Sequence, residues 1–119
     1  MKKIKKEITK TNLDKIKAFK LINKNDSIAA KDCVNETFKL NGYAMYNACI
    51  TDDDTGETSV YHNVVLDTTI GTIGTNSQSL VSSLTEMLDY LGDEIYNLDL
   101  MITKGKSASG NTFVDIEIA

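Results

Sequence analysis

Aromatic rings and lysine ammonium groups are the side chains whose positions in this sequence suggest a binding chemistry. Tyr61 and Asn63 share the outward parity of one predicted strand, and Tyr43 and Lys39 share that of the strand before it. Flat rings can stack on unpaired bases, and lysines can contact phosphates, without reading a base sequence. We therefore predict a nucleic-acid-binding surface made from seven side chains: Tyr61, Tyr43, Phe113, Lys39, Asn63, Lys104 and Lys106.

The lysines are concentrated at one end of an acidic chain. The net charge of the 119 residues is −4, yet residues 1–39 carry 11 lysines against 5 acidic residues, and the remainder carries 2 against 12. An acidic protein can still bind nucleic acid where its positive charge is gathered. All 13 basic residues are lysines. The protein therefore has no arginine to form bidentate hydrogen bonds with guanine, and this favours sequence-tolerant binding. The alternative for residues 1–11 is a flexible basic arm that is only solvated.

Other chemistries have little support in the sequence. His62 is the only histidine, and Cys33 and Cys49 are not spaced as metal ligands, so we expect no metal site and two reduced cysteines. The adjacent acids Asp93 and Glu94 have no recognisable catalytic partner, and residues 52–54 read as a solvated hairpin tip. We expect no enzyme activity and no cofactor. Without a signal peptide or an apolar run of membrane-spanning length, a cytoplasmic location is expected.

Apolar residues that alternate with polar ones predict five strands. The first is long, with Gly42 near its middle as the place for a bulge or bend. Its parity places Tyr46 inward, unless a bend at Gly42 reverses the alternation, and the parity of the second strand places His62 inward. The predicted strands are residues 34–50, 59–66, 69–75, 95–103 and 112–118.

Two segments show helical spacing instead. Leu80, Leu84 and Leu91 belong to one apolar face of a helix that Asn76 or Ser77 caps, with Gly92 just past its end. Tyr90 and Tyr96, near the end of this helix, are predicted to be structural. A short helix is predicted over residues 12–22, capped by Asn12, with Leu13, Ile16 and Phe19 on its buried side.

The element order predicts a mainly β protein with the OB-fold. Three strands, a helix and two further strands follow a short N-terminal helical region, and this is the order of a five-stranded Greek-key barrel with one helix between strands 3 and 4. The whole chain, 1–119, is predicted to be one such domain.

Three runs of the sequence resemble one family. They are KAFKLINKNDSIAAKDCVNETFKLNGYAMYNA (17–48), TGETSVYHNVVLDTTIGTIGTNSQSLVSSLTEML (55–88) and KGKSASGNTFVDIEIA (104–119). They are similar to the single-stranded DNA-binding proteins of small tailed phages that replicate by protein priming, with related proteins in other phages of low-GC Gram-positive hosts. The sequence departs from the family pattern at residues 68–71, where a simpler Asp-Gly turn is expected.

The resemblance implies a protein that coats single strands displaced during phage DNA replication in the host cytoplasm. Single-stranded DNA is then the expected partner, with phage or host replication proteins as further candidates, and the oligomeric state stays open. The alternative is a non-enzymatic protein-interaction module, such as a phage structural adaptor or a host-directed inhibitor that uses the acidic part of the chain. The discriminating feature is whether the lysines converge in space beside Tyr61.

Overall fold

Within residues 2–119, which a computed structural model describes, eight strands form two separate sheets. The larger sheet has the order β1-β4-β5-β6-β2, and the smaller sheet has the order β3-β7-β8. The strands are β1 (Lys2–Thr11), β2 (Ile28–Ala29), β3 (Thr37–Phe38), β4 (Leu40–Asp52), β5 (Thr58–Thr68), β6 (Gly71–Thr75), β7 (Leu100–Lys106) and β8 (Thr112–Ile118). The helices are α1 (Lys15–Ile22) and α2 (Gln78–Leu91), with 3₁₀ turns at Ala30–Asp32 and Gly92–Asn97.

The two sheets are joined by one continuous stretch of backbone. Lys39 alone separates β3 from β4, so the chain passes there from the smaller sheet into the larger one. The predicted first strand is therefore divided between the sheets. The mainly β class with one main helix is confirmed, but within residues 2–119 the strands do not close into a barrel.

The core lies between the sheets and beneath α2. β4 and β5 contribute Tyr43, Met45, Val64 and Leu66, and α2 contributes Leu84. β7 and β8 face them with Leu100, Ile102 and Ile116. Side chains on the opposite face of the larger sheet form a smaller cluster beneath α1. Both faces of β4 are thus covered where it passes between α1 and the core.

α2 confirms the prediction made from its spacing. The Ser77 hydroxyl accepts a hydrogen bond from the Leu80 amide (3.3 Å) and donates one to the Val114 carbonyl (2.7 Å), so the cap also ties α2 to β8. Gly92, just past the end of α2, has a φ of 57°, in the region that favours glycine. None of the helices in residues 2–119 has both the length and the apolar composition of a membrane crossing.

The prediction for α1 was wrong in its cap and in its buried face. The helix begins at Lys15, because the Asp14 carboxylate, and not Asn12, accepts the capping bond from the Lys17 amide (2.9 Å). The side chains that it buries are Ala18, Leu21 and Ile22, whereas Ile16 and Phe19 are 69% and 64% exposed. The Asn12 side-chain oxygen accepts a hydrogen bond from the Tyr43 amide (2.8 Å) and so holds the start of this segment on β4.

The basic segment, for which a flexible arm was the alternative, is an edge strand. β1 pairs antiparallel with β4 from Lys2 opposite Asp52 to Thr11 opposite Ala44. β4 is 13 residues long, and its free edge offers backbone partners that the basic segment takes up. Met1 lies outside the described residues.

A bulge reverses the parity of the first predicted strand. The register between β4 and β5 shifts between Leu40 and Gly42, so Tyr43 and Met45 turn into the core. Tyr43, expected to point outward, is buried and 4% exposed. The fourth predicted strand also begins later than expected, because residues up to Asn97 continue as a 3₁₀ turn after α2.

Gly42 should be sensitive to any added side chain. A Cβ at this position would lie 2.7 Å from Leu13 Cδ2 and 3.2 Å from Leu13 Cγ. We expect Gly42→Ala to lower the free energy of unfolding by about 1–3 kcal/mol, as overpacking does elsewhere, measured by urea denaturation. Gly74→Ala is the control, because its Cβ would meet nothing closer than Ser27 Cβ at 3.7 Å. Equal losses in the two variants would contradict the close packing at Gly42.

Candidate nucleic-acid interface

Two neighbouring hollows lie on the larger sheet and in the gap beside it. The edge cleft, about 710 Å³, lies between the outer strands of the two sheets and is lined by residues 29–31, 74–79, 104 and 112–114. The sheet groove, about 320 Å³, lies on the α1 side of the larger sheet and is lined by residues 6, 22, 24, 27, 46, 63–65 and 74–76. The two share residues 74–76, so one extended chain could pass along both.

The lining of this surface is positively charged. Lys31 and Lys104 line the edge cleft, and Lys6 and Lys24 line the sheet groove, while neither lining contains an aspartate or a glutamate. Within residues 2–119, no ion pair joins any of these four lysines to an acidic side chain. No contacting carboxylate therefore neutralises these four ammonium groups, in a protein that carries 17 acidic residues.

Two of these lysines are held in place by neutral partners. The Lys6 ammonium donates to the Ile22 carbonyl and to Asn23 Oδ1, both at 3.1 Å. The Lys24 ammonium donates to Thr72 Oγ1 at 3.2 Å. Neutral acceptors orient an ammonium group without cancelling its charge. The ammonium group of each side chain therefore stays within the groove, and its positive charge can still attract an anion.

Two tyrosines share the groove side of adjacent strands. Tyr61 pairs with Ala48 and Asn63 pairs with Tyr46, so the two tyrosines are diagonal neighbours across β4 and β5, with their Cα atoms about 7–8 Å apart by strand geometry. Tyr61 is 49% exposed, and the Asn63 amide donates to its carbonyl at 3.2 Å. Rings in this arrangement can each offer a face to an unpaired base.

Tyr46 contributes a half-buried ring to the sheet groove. The Lys6 ammonium lies 5.8 Å from the centre of this ring. Burial raises the pKa of the Tyr46 phenol above its ordinary value, so the side chain stays neutral at physiological pH. A neutral ring beside an ammonium group does not repel a phosphate, as a phenolate would.

Phe113 is fixed against the backbone of the opposite strand. It pairs with Gly105, and a Cβ on that glycine would lie only 2.6 Å from the ζ carbon of the Phe113 ring. The absence of a side chain at Gly105 thus makes room for the ring, which lines the edge cleft near Lys104. Lys106 is exposed at the end of β7, opposite Thr112 of the cleft lining.

The beginning of α2 also faces the edge cleft. Ser77, Gln78 and Ser79 belong to its lining. The first amide groups of a helix lack partners within the helix, and together they carry a partial positive charge. This end of α2 adds to the field of Lys31 and Lys104 in the cleft.

Two of the seven predicted residues lie elsewhere. Tyr43 is in the core and cannot meet a base. Lys39 forms an ion pair with Asp99 (3.0 Å), just before β7, whereas Lys104 lies near the other end of that strand. Asn63, Phe113 and Lys104 line the two hollows, with Tyr61 and Lys106 beside them.

Four of the lining residues are outside the seven predicted from the sequence. Tyr46 was assigned inward, with a bend at Gly42 as the alternative that the structure bears out. The excess of lysine in residues 1–39 could not by itself distinguish Lys6, Lys24 or Lys31 from the other lysines. His62, expected inward, is exposed, because β4 and β5 extend beyond the core there. Its Nδ1 shares a 2.6 Å hydrogen bond with Asn47 Oδ1.

Tyr90 and Tyr96 differ in their surroundings. Tyr96 packs partly buried against the core, as expected of a structural residue. Tyr90, expected to be structural too, is 88% exposed at the end of α2.

Comparison of this chain with protein-family models, with curated proteins and with solved structures finds no match.

Proposed function

We propose that this protein binds single-stranded DNA without strong sequence preference, along the sheet groove and the edge cleft. One observation carries the proposal: the two hollows adjoin, and the described residues that line them include four lysines without an ion pair and no carboxylate, in a chain of net charge −4. A surface of this kind attracts a polyanion, and the rest of an acidic protein repels it.

The chemistry of the proposed interface is non-catalytic. Lysines contact successive phosphates, and base stacking on exposed aromatic rings contributes about 1–3 kcal/mol per base. Tyr61, Tyr46 and Phe113 are the rings placed for this role. Lysine approaches a phosphate as a single charge, so the contacts do not depend on which base lies between them.

The strand arrangement supports the finer proposal of an open OB-type barrel. β4, β5 and β6 are followed by α2 and then by the β7–β8 hairpin, and residues 37–52 run through both sheets, as the first strand of an OB-fold does. Proteins of this fold bind on their second and third strands, between two hairpin loops. Here those strands are β5 and β6, which carry part of the sheet groove.

The biological setting that we propose comes from the family resemblance. On this proposal the protein acts in the cytoplasm of a Gram-positive host, where it covers single strands displaced during protein-primed phage replication. Phage or host replication proteins are further proposed partners.

The lysines of the edge cleft should determine much of the salt dependence of binding. Lys31→Ala/Lys104→Ala should weaken binding to a short oligo-dT. It should also flatten the slope of log affinity against log salt by about 0.7 for each lost phosphate contact. Affinity would be measured by gel shift or tyrosine quenching across a salt series.

Lys17→Ala/Lys39→Ala is the matched control. It removes the same charge, but both lysines lie in ion pairs outside the cleft, with Asp14 and Asp99. The proposed path is wrong if both double variants change the slope equally. If the unaltered protein fails to retard oligo-dT even in dilute buffer, DNA binding itself is refuted and the protein-interaction alternative gains.

Tyr61 should contribute to DNA binding by stacking on a base, whereas its neighbour Val60 should not. We expect Tyr61→Ala to weaken binding to a short oligo-dT by about 1–3 kcal/mol at constant salt, with little change in the salt slope. Val60→Ala is the control, since Val60 is similarly exposed, at 51%, but lies on the other face of β5. An unchanged affinity of Tyr61→Ala would remove Tyr61 from the site.

A further inference from the structure

An acidic groove lies on the other side of the molecule. Met87, Tyr90, Leu91 and Ile118 line a hollow of about 310 Å³ between α2 and β8, with Glu86 at its rim. We call this hollow and its rim the acidic groove. Tyr90 and Ile118 are 88% and 52% exposed, which is unusual for large apolar side chains that lie together.

Exposed carboxylates lie along α2 and just after it, where α2 forms one wall of this hollow. Glu86 is on the helix, and Asp93 and Glu94 follow its end after Gly92. Within residues 2–119, Glu86, Asp93 and Glu94 form no ion pair with a basic side chain, whereas Asp89 is paired with Lys10 at 3.4 Å. The acidic groove therefore fits an apolar segment that carries positive charge.

α1 presents the complementary surface. Ile16 and Phe19, three residues apart, lie on its exposed side, flanked by Lys15 and Lys20. We call these four residues the lysine helix face. Neither Lys15 nor Lys20 has an acidic partner among the described residues. Two large apolar side chains on a short exposed helix, between free ammonium groups, match the acidic groove in both polarity and charge.

The two surfaces of one molecule cannot meet each other. α1 packs on the face of the larger sheet that carries Ala44 and Val65, and α2 packs over the opposite face, which carries Met45 and Val64. The sheet thus stands between the lysine helix face and the acidic groove. Any contact between them must join two copies.

We propose that the lysine helix face of one copy docks in the acidic groove of the next, so that Ile16 and Phe19 cover the apolar side chains beside Tyr90. Symmetric pairing of either surface with itself would bring like charges together, and unlike surfaces attract. Contacts between two different surfaces are head-to-tail, and where the rotation does not close a ring they build an open chain. Resting on the proposed function, this chain of copies makes binding along a single strand cooperative.

Variants in which one of the two surfaces is disabled, which we call half-blocked variants, test the contact without DNA. Ile16→Glu/Phe19→Glu disables the lysine helix face, and Glu86→Lys/Tyr90→Lys disables the acidic groove. All four substituted side chains are exposed, so circular dichroism should show an unchanged fold. Sedimentation velocity at low salt should show the unaltered protein growing beyond a dimer as its concentration rises, and each variant alone should stay monomeric.

The decisive sample is the equimolar mixture of the two variants. Each supplies the surface that the other lacks, so the mixture should form a dimer and nothing larger. Val60→Glu, an exposed apolar residue outside both surfaces, should assemble like the unaltered protein. The proposal is overturned if the unaltered protein stays monomeric, or if it assembles while the mixture does not. Should Ile16→Glu/Phe19→Glu unfold, Lys15→Glu/Lys20→Glu takes its place in the same mixture.

DNA supplies a second, separable readout. On long poly-dT the unaltered protein should bind at least about tenfold more tightly than on the shortest oligo-dT that it retards, a ratio that corresponds to about 1.4 kcal/mol. Either half-blocked variant should lose this ratio, which compares two strands bound by the same variant and so does not depend on how the substitutions change its affinity for the short strand. A ratio that survives in both variants refutes the link to cooperativity. If no DNA is bound, the proposed function fails, and the sedimentation result still decides whether the copies associate.

Discussion

Gly42 lies in close contact with the segment before α1, at the bulge that decides which side chains of β4 face the core. Only a residue without a side chain lets Leu13 approach so closely, and the Asn12 side chain then reaches the Tyr43 amide. The accompanying bulge shifts the alternation of β4 by one residue. Tyr43 and Met45 consequently enter the core, and Tyr46 turns to the side on which α1 lies.

This arrangement separates the charges of the molecule across the sheet. The chain before β4 contains most of the lysines, and it contributes β1, α1 and the loop that carries Lys24 to the groove side. The later chain contributes α2, whose exposed carboxylates lie on the opposite side. The protein has a net charge of −4, yet its two sides differ in charge, because the larger sheet separates the lysine-rich part of the chain from the acidic part.

Local signals allowed α2 and β8 to be predicted from the sequence. The features that could not be predicted depend on contacts between residues far apart in the chain. α2 has a cap, an apolar period and a terminal glycine within its own residues, and the bounds predicted for β8, 112–118, agree with the structure. The buried face of α1 depends on Asn12 bonding to Tyr43, 31 positions away. In the candidate site, simple alternation along the strand was enough to predict that Tyr61 and Asn63 face outward. The position of Tyr46 depends on the bulge at Gly42. The positions of Lys24 and Lys31 depend on the path of the chain between α1 and β3, which the sequence pattern does not give.

The same separation of charge makes the two proposed contacts compatible. Phosphates are repelled by the carboxylates around Tyr90, so a bound strand would leave the acidic groove open to the next copy. The lysine helix face lies on the groove side, where α1 ends at Ile22 in the lining of the sheet groove. An acidic groove docked there would place carboxylates near the bound strand, and this repulsion would offset part of the attraction between copies.

Raising the salt concentration screens both the attraction between copies and the attraction of the lysines for phosphates. Self-association and DNA binding should therefore weaken together but with different slopes, because phosphate binding also releases condensed counterions and the contact between two proteins does not.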